Sequence, residues 1–372
     1  MSDRRRSRSW LWLVVAAVLL VAGAWLMRGA EPPEREAPAP VSIPRRMTPV
    51  ERERAISRKE VAVEAARDAG LGIDSRDVRD PVLALMPEKI ESQAVVAEVN
   101  AIINSDLGPA LVDCLFEPEF LEQGRDAGFD LTRQLDRVAV IDDAFVMSGQ
   151  FGDFWARAFP GAVGRDYGRR GRILPVLREG DRQMFVATWN DQITVMSRSE
   201  EEAMAYLDRL DGSGPRVENP VLNDSMAYGE LYGVFAAEAL ASLVEDEQSQ
   251  LADTIRQTAK NARVHMDMSH DVGLSADIEA NDPKQADELR RTLGGALSLA
   301  RMQAQAKGEK DTADILDLAR VRSAREGGSF QMEAGLPYEF MKGTLEKCAA
   351  DRRARKAQQK ARREAAPPVT QP

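Results

Sequence analysis

Apolar and polar residues alternate with the periods of strands and helices along most of the chain, and the predicted elements occur twice in the same order. Over residues 74–212 the pattern predicts a strand, a helix, a hairpin, a helix, a hairpin and a closing helix. The same six elements follow over residues 218–348, after a join at 210–220 that is rich in turn formers. Because hairpins outnumber crossover strands, we expect an α+β fold of two tandem units with largely antiparallel sheet.

Turn and capping residues stand at the expected ends of these elements. The hairpins are predicted to turn at Asp142–Asp143, Asn190–Asp191 and 326–328, where residues that favour turns occur. Two helices are predicted to begin after Ser199 and Asp282, whose short polar side chains suit the N-cap position.

The N-terminal pattern is different, because residues 10–27 form an uncharged stretch with tryptophans near both ends. An apolar helix of this length covers most of a hydrocarbon core, so we expect a single transmembrane helix that contacts the lipid bilayer. A cleaved signal peptide is the alternative, although its apolar region is usually only about 7–15 residues long.

Arginines on the N-terminal side of this stretch predict its orientation. Four arginines lie within residues 1–9, and positive charge stays on the cytoplasmic side of a membrane. We therefore expect a cytoplasmic N-terminus at the inner (cell) membrane and a body outside the cytoplasm, which is the periplasm in a Gram-negative cell. A twin-arginine signal is a weaker interpretation of the same run.

Two segments are predicted to connect this anchor with the body. Residues 28–49 are rich in proline and poor in large apolar side chains, which is typical of an extended linker. Residues 50–70 predict an amphipathic helix that ends at glycine. Its apolar stripe would be narrow and would consist of Val50, Ile56, Val63 and Ala66.

Charge is distributed unevenly along the 372 residues, which carry a net charge of −10. Residues 347–363 hold eight basic residues and one acid, so the remainder carries −17. An acidic body disfavours nucleic acid as a partner. We expect residues 349–372 to be a basic, partly disordered tail that contacts an anionic envelope component or an acidic protein, or else only solubilises the C-terminus.

The only two cysteines, Cys114 and Cys348, fall on or at the ends of predicted helices. They are expected either to form a disulfide, which an oxidising compartment would allow, or to be two separate buried thiols.

Both histidines of the chain lie in the stretch RVHMDMSHDVGL, residues 263–274. His265 and Asp267 share one face of a predicted strand, and His270 at the turn would complete a metal site. Met266 and Met268 with His270 are an alternative set of copper ligands. The third interpretation is an ordinary hairpin that buries the methionines and exposes His265 and Asp267.

A second candidate site lies in GAVGRDYGRRGR, residues 161–172. Glycines let the backbone approach a ligand, and guanidinium groups bind phosphate or carboxylate. An exposed loop explains the composition as well. The candidate anion-binding residues are Arg165, Arg169, Arg170 and Arg172.

Motifs of known catalytic chemistry do not occur in the sequence, including Gly-x-Ser-x-Gly, His-Glu-x-x-His and Cys-x-x-Cys. The sequence indicates no catalytic residues and no cofactor. It favours a non-catalytic interaction or scaffolding protein of the cell envelope. The alternatives are an envelope protein that binds a ligand through the arginine loop or a metal through the histidine hairpin, and an enzyme of unrecognised type.

Overall fold

The computed structural model describes residues 41, 43–68, 78–178, 182–244, 249–323 and 328–365. These residues form thirteen α-helices and one sheet of twelve strands. The helices are α1 (Pro49–Asp68), α2 (Pro81–Ala84), α3 (Val99–Ile103), α4 (Gly108–Leu115), α5 (Pro118–Asp126), α6 (Leu131–Gln134), α7 (Phe154–Ala158), α8 (Glu200–Leu210), α9 (Ala237–Ser242), α10 (Ser249–Thr258), α11 (Pro283–Lys307), α12 (Lys310–Leu318) and α13 (Tyr338–Ala365). The strands are β1 (Gln93–Ala97), β2 (Leu135–Ile141), β3 (Ala144–Gly149), β4 (Arg165–Tyr167), β5 (Gly171–Arg178), β6 (Arg182–Trp189), β7 (Ile193–Ser197), β8 (Leu231–Ala236), β9 (Ala259–Asp267), β10 (Val272–Ala280), β11 (Arg320–Ser323) and β12 (Ser329–Leu336).

All twelve strands belong to one sheet in the order β11-β12-β10-β9-β8-β1-β2-β3-β7-β6-β5-β4, and neighbouring strands are antiparallel. Outward from β1 the order is β2, β3, β7, β6, and outward from β8 it is β9, β10, β12, β11. The two halves therefore place corresponding strands in corresponding positions and meet at the β1–β8 pair. The α+β class and the antiparallel sheet are confirmed.

The first half contains two strands that the sequence pattern did not predict, β4 and β5. Pro175 interrupts the alternation in β5, and proline is normally confined to strand edges. The short strand β4 pairs only with residues 171–173, so β5 has no neighbour on that side at Pro175. Residues 161–172, which could have been a loop, thus supply an edge hairpin.

Helices cover the two faces of the sheet unequally. On the face that we call the front, α2 and α8 pack on Val96, Ala139 and Val195. On the back face, α4, α9 and α13 pack on residues that include Val95 and Phe235. Helices α10 and α11 extend the back layer over β9, β10 and β12. In the first half, a cluster that includes Val138, Val176 and Val186 covers the back face. The back face is therefore apolar along the sheet, whereas the apolar core of the front face lies mainly in the first half and extends to β8.

The predicted turns and caps stand where the strands and helices end. Asp142, Asn190 and Asp191 adopt positive φ values of 48°, 51° and 53°, as tight hairpin turns require. The side chain of Ser199 accepts a hydrogen bond from the backbone N–H of Glu202 at 3.1 Å, which caps α8. Asp282 caps α11 by accepting from two backbone N–H groups. Residues 326 and 327 of the third predicted turn lie outside the described part.

A disulfide between Cys114 and Cys348 joins α4 to α13, with the two Cα atoms 5.4 Å apart. Helix α13 continues past Cys348 to Ala365, so the basic tail begins as part of a long helix. Among the described residues, no helix combines the length and the apolarity of a membrane span. The transmembrane helix expected over residues 10–27 and most of the linker lie outside the described residues.

Candidate functional site: the contact between the N-terminal segment and the sheet

Residues 43–68, which we call the N-terminal strap, cross the front face of the sheet. Gly335 of β12 lies close to Val41, just before the strap. Pro44 accepts a hydrogen bond from Ser275 of β10 at 3.2 Å, and Glu51 accepts one from the backbone N–H of Gly229 before β8. The strap thus runs from one half of the sheet to the join between the halves.

Helix α1 of the strap packs by its charged side, and two residues of the predicted apolar stripe, Val50 and Ile56, do not pack against the body. Val63 of that stripe is partly buried, and the side chain of Ala66 lies outside the described part. Val50 is 63% exposed and Ile56 is 51% exposed. Charged side chains on the same helix are instead turned toward the sheet, and Arg58 keeps only 16% of its side-chain surface exposed. The helix was predicted correctly, but the residues that hold it in place were not.

Arg58 makes the most extensive contact of the strap. Its Nη1 and Nη2 donate to the two carboxylate oxygens of Glu98 at 3.0 and 2.6 Å. Its Nε and Nη2 donate to Asp136 at 3.1 and 2.9 Å. A guanidinium group held by two carboxylates in this way makes short, charge-assisted hydrogen bonds with fixed geometry.

In each ion pair between the strap and the body among the described residues, the strap supplies the cation and the body supplies the carboxylate. Four strap cations face four body carboxylates, which come from β2, β12, the residue before α3 and a short 3-10 helix over 224–226. The pairs are Arg45 with Glu333, Arg54 and Arg58 with Glu98, Arg58 with Asp136, and Lys59 with Asp224. The body therefore presents an anionic surface to a basic segment.

A row of buried polar side chains lies on the front face of the second half. Tyr232, His265, Ser275 and Glu333 are direct neighbours across β8, β9, β10 and β12. They are 1–4% exposed, although their side chains are polar. Ser275 and Glu333 have hydrogen-bond partners in or beside the strap, at Pro44 and Arg45. The strap therefore covers these two polar side chains and also supplies their hydrogen-bond partners.

A second ion pair lies deeper, beneath α1. Arg137 Nη1 donates to Asp80 Oδ2 at 2.8 Å, and the two side chains are 2% and 4% exposed. Burial alone would raise the pKa of Asp80, but the Arg137 guanidinium outweighs it and holds that pKa below its usual value. Asp80 also caps α2 through the backbone N–H groups of Val82 and Leu83.

Little free space remains between α1 and the sheet. The cavity lined by Arg58, Glu98, Arg137 and Tyr232 has a volume of about 20 Å³, enough for roughly one water molecule. Tyr232 donates to Glu98 at 2.9 Å, and burial raises the pKa of Tyr232 well above its usual range. With the strap in place, this cavity has no room for a ligand larger than water.

The structure does not bring the predicted metal ligands together. His265 is buried and stacks on Tyr228 with 3.7 Å between the ring centroids. Asp267 accepts hydrogen bonds from Ser269, while His270 has 72% of its side chain exposed and lies beside Asp106. No three His, Cys, Asp or Glu residues of the described chain are grouped as metal ligands.

The alternative copper set is also separated, since the two methionines and the second histidine face different surroundings. Met266 and Met268 are buried in the core of the back face. The hairpin interpretation was right about the methionines. It was wrong about His265, which is buried rather than solvated.

The arginines of the predicted anion site lie on or next to the β4–β5 hairpin and meet partners from the body. Arg165 donates to Glu200 at 2.8 Å, and Arg170 donates to Asn190 at 3.1 Å. The backbone N–H of Arg169 donates to Asp211 at 2.8 Å, while Arg172 is exposed on β5. An anionic ligand would have to compete with Glu200 for Arg165.

The residues of the strap contact were not identified from the sequence. Arg58 and Glu98 are 40 residues apart, and Arg58 and Asp136 are 78 apart. One local signal was present: Arg137 precedes Ala139 and Ile141 on the buried face of an alternating strand. A charge at such a position indicates a buried ion pair.

Comparison with known proteins gave no match: no family model, no curated protein and no solved structure is significantly similar to the chain.

Proposed function

We propose that the protein is a non-catalytic interaction module, tethered to the cell membrane by residues 10–27 with its body outside the cytoplasm. The observation that carries the proposal is the attachment of the strap. The segment that links the expected anchor to the body is bound by ion pairs such as Arg58–Glu98, not by an apolar stripe. Polar interfaces of this kind are typical of contacts that form and dissociate, whereas permanent ones are more apolar.

The strap gives the module a closed and an open state. In the closed state, residues 43–68 satisfy the carboxylates of the front face. In the open state, Glu98, Asp136 and Glu333 become available to a partner. The body remains attached to the membrane in both states, because the anchor precedes the strap in the chain.

Hydrogen exchange of the full-length chain in detergent tests this function. The triple variant Arg45→Ala, Arg54→Ala, Arg58→Ala removes cations that hold the strap. We expect amides of residues 49–68 to exchange at least about tenfold faster than in wild type, while β1 and β8 keep their protection. The matched control is Arg46→Ala, Arg52→Ala, Arg67→Ala, which removes three exposed arginines of the same segment. Equal exchange in the two variants would remove the basis of the proposal.

The basic C-terminal helix is proposed as a second contact element, for an anionic envelope component or an acidic protein. Arg353 and Arg355 are exposed in the middle of α13. Lys356 pairs with Glu119 of α5, and Arg352 donates to the Asp113 carbonyl. Part of the positive charge is therefore used within the body, and the exposed arginines are the residues to test.

A further inference from the structure

Any segment that covers the body side of the strap contact must be basic. Glu98 is 5% exposed and Glu333 is 4% exposed, and both are paired with strap arginines. Removing one partner of a buried ion pair leaves an uncompensated charge, which is strongly unfavourable. A segment that replaced the strap without cations would leave these carboxylates in that state.

The geometry also selects arginine over lysine. Arg54 and Arg58 are one helical turn apart and both approach Glu98. Arg58 additionally donates to Asp136 through Nε and Nη2. Only a guanidinium group offers this planar set of donors, since a lysine ammonium is a compact point charge.

We propose that the front-face site beneath the strap binds an arginine-bearing helical segment of another polypeptide, which displaces residues 43–68. This inference rests on the proposed function, because it names the partner of the same site. The matching segment carries two arginines one helical turn apart and a third arginine nine residues before them, as Arg45, Arg54 and Arg58 do. The strap competes with this segment within the same chain, at an effective concentration on the order of millimolar.

The test uses a fluorescent synthetic peptide of residues 43–68 as the probe and the full-length chain in detergent as the receptor. The triple variant Arg45→Ala, Arg54→Ala, Arg58→Ala is expected to bind the peptide saturably and at least about tenfold more tightly than wild type, because cis competition is weakened. The control variant Arg46→Ala, Arg52→Ala, Arg67→Ala is expected to bind like wild type. A peptide with Arg58→Lys should bind the triple variant several-fold more weakly.

Two results would overturn the inference. One is that the triple variant does not bind the peptide saturably. The other is that it binds a peptide with Arg54→Ala and Arg58→Ala as tightly as the unchanged peptide. If the triple variant does not fold, the wild-type chain is incubated with excess peptide and hydrogen exchange over 49–68 is measured. Faster exchange supports displacement, and unchanged exchange contradicts it. If the triple variant opens the strap in the exchange experiment but binds no peptide, this inference fails while the proposed function stands.

Discussion

Arg137 and Asp80 form an ion pair that is closed to solvent on all sides, with 2.8 Å between Nη1 and Oδ2 and side-chain exposures of 2% and 4%. Asp80 joins this pair to α2, and Arg137 lies within two residues of the β2 core residue Ala139. The pair therefore connects the central strands to the first short helix of the body.

Arg137→Met is expected to destabilise the protein by about 3–5 kcal/mol, because it leaves Asp80 buried without its cation. Adding Asp80→Asn should restore a large part of this loss, since asparagine keeps the cap of α2 and removes the unpaired charge. Denaturant unfolding of both variants measures the effect. Arg198→Ala, which breaks the exposed pair with Asp143, is the control and should cost at most about 1 kcal/mol. Equal destabilisation by the single and the double variant would contradict this account.

Reduction of the Cys114–Cys348 disulfide is expected to lower the free energy of unfolding. The bond spans 234 residues and fixes α13 on α4. Opening a loop of this length lowers the free energy of unfolding by about 2–5 kcal/mol, largely because the unfolded chain gains conformational entropy. Thermal unfolding with and without dithiothreitol measures the change. The double variant Cys114→Ser, Cys348→Ser should already unfold at the lower temperature and should not respond to the reductant.

The topology of the chain can be tested with introduced cysteines, because both native cysteines are bonded to each other. Val163 is 85% exposed, so Val163→Cys is expected to react with a membrane-impermeant maleimide in spheroplasts. Ser2→Cys, before the expected anchor, should react only after lysis. Labelling of Ser2→Cys but not of Val163→Cys in intact spheroplasts would show the reverse orientation.

Much of the sheet could be predicted because its signals are local. The alternation in β2, β3, β6 and β7 and the turn residues Asp142 and Asn190 depend only on neighbouring positions. The pairing of β1 with β8, which fuses the two halves, joins residues more than a hundred positions apart and has no local signal.

The candidate site could not be predicted for a related physical reason. A helix that carries Arg54, Arg58 and Lys59 on its polar side looks solvated in the sequence, and only the carboxylates of other segments turn that side into an interface. His265 shows the same limit, since its burial depends on the distant Tyr228 ring. Strand β5 was not predicted because it contains Pro175. The sequence does not show that β4 is too short to pair with β5 at this proline.

His265 is expected to make the stability of the protein depend on pH. Burial lowers the pKa of His265 to about 4, from 6.5 in the unfolded chain. Between these values the unfolded state binds a proton that the folded state does not, so the stability is full above pH 6.5 and falls as the pH decreases toward 4. The loss attributable to His265 is about 2 kcal/mol between pH 6.5 and 5.

Denaturant unfolding at pH 7, 6 and 5 tests this prediction with His265→Phe, which retains a ring against Tyr228 but cannot be protonated. Burial raises the pKa of Glu230, so protonation of this carboxyl favours the folded state on acidification, which opposes the effect of His265. The difference in stability between wild type and the variant therefore isolates His265. The variant should lose less stability on acidification than wild type. His270→Ala, which removes the exposed histidine, is measured alongside as the comparison variant. If the stability of the His265→Phe variant fell with pH as steeply as that of wild type, a group other than His265 would account for the proton uptake.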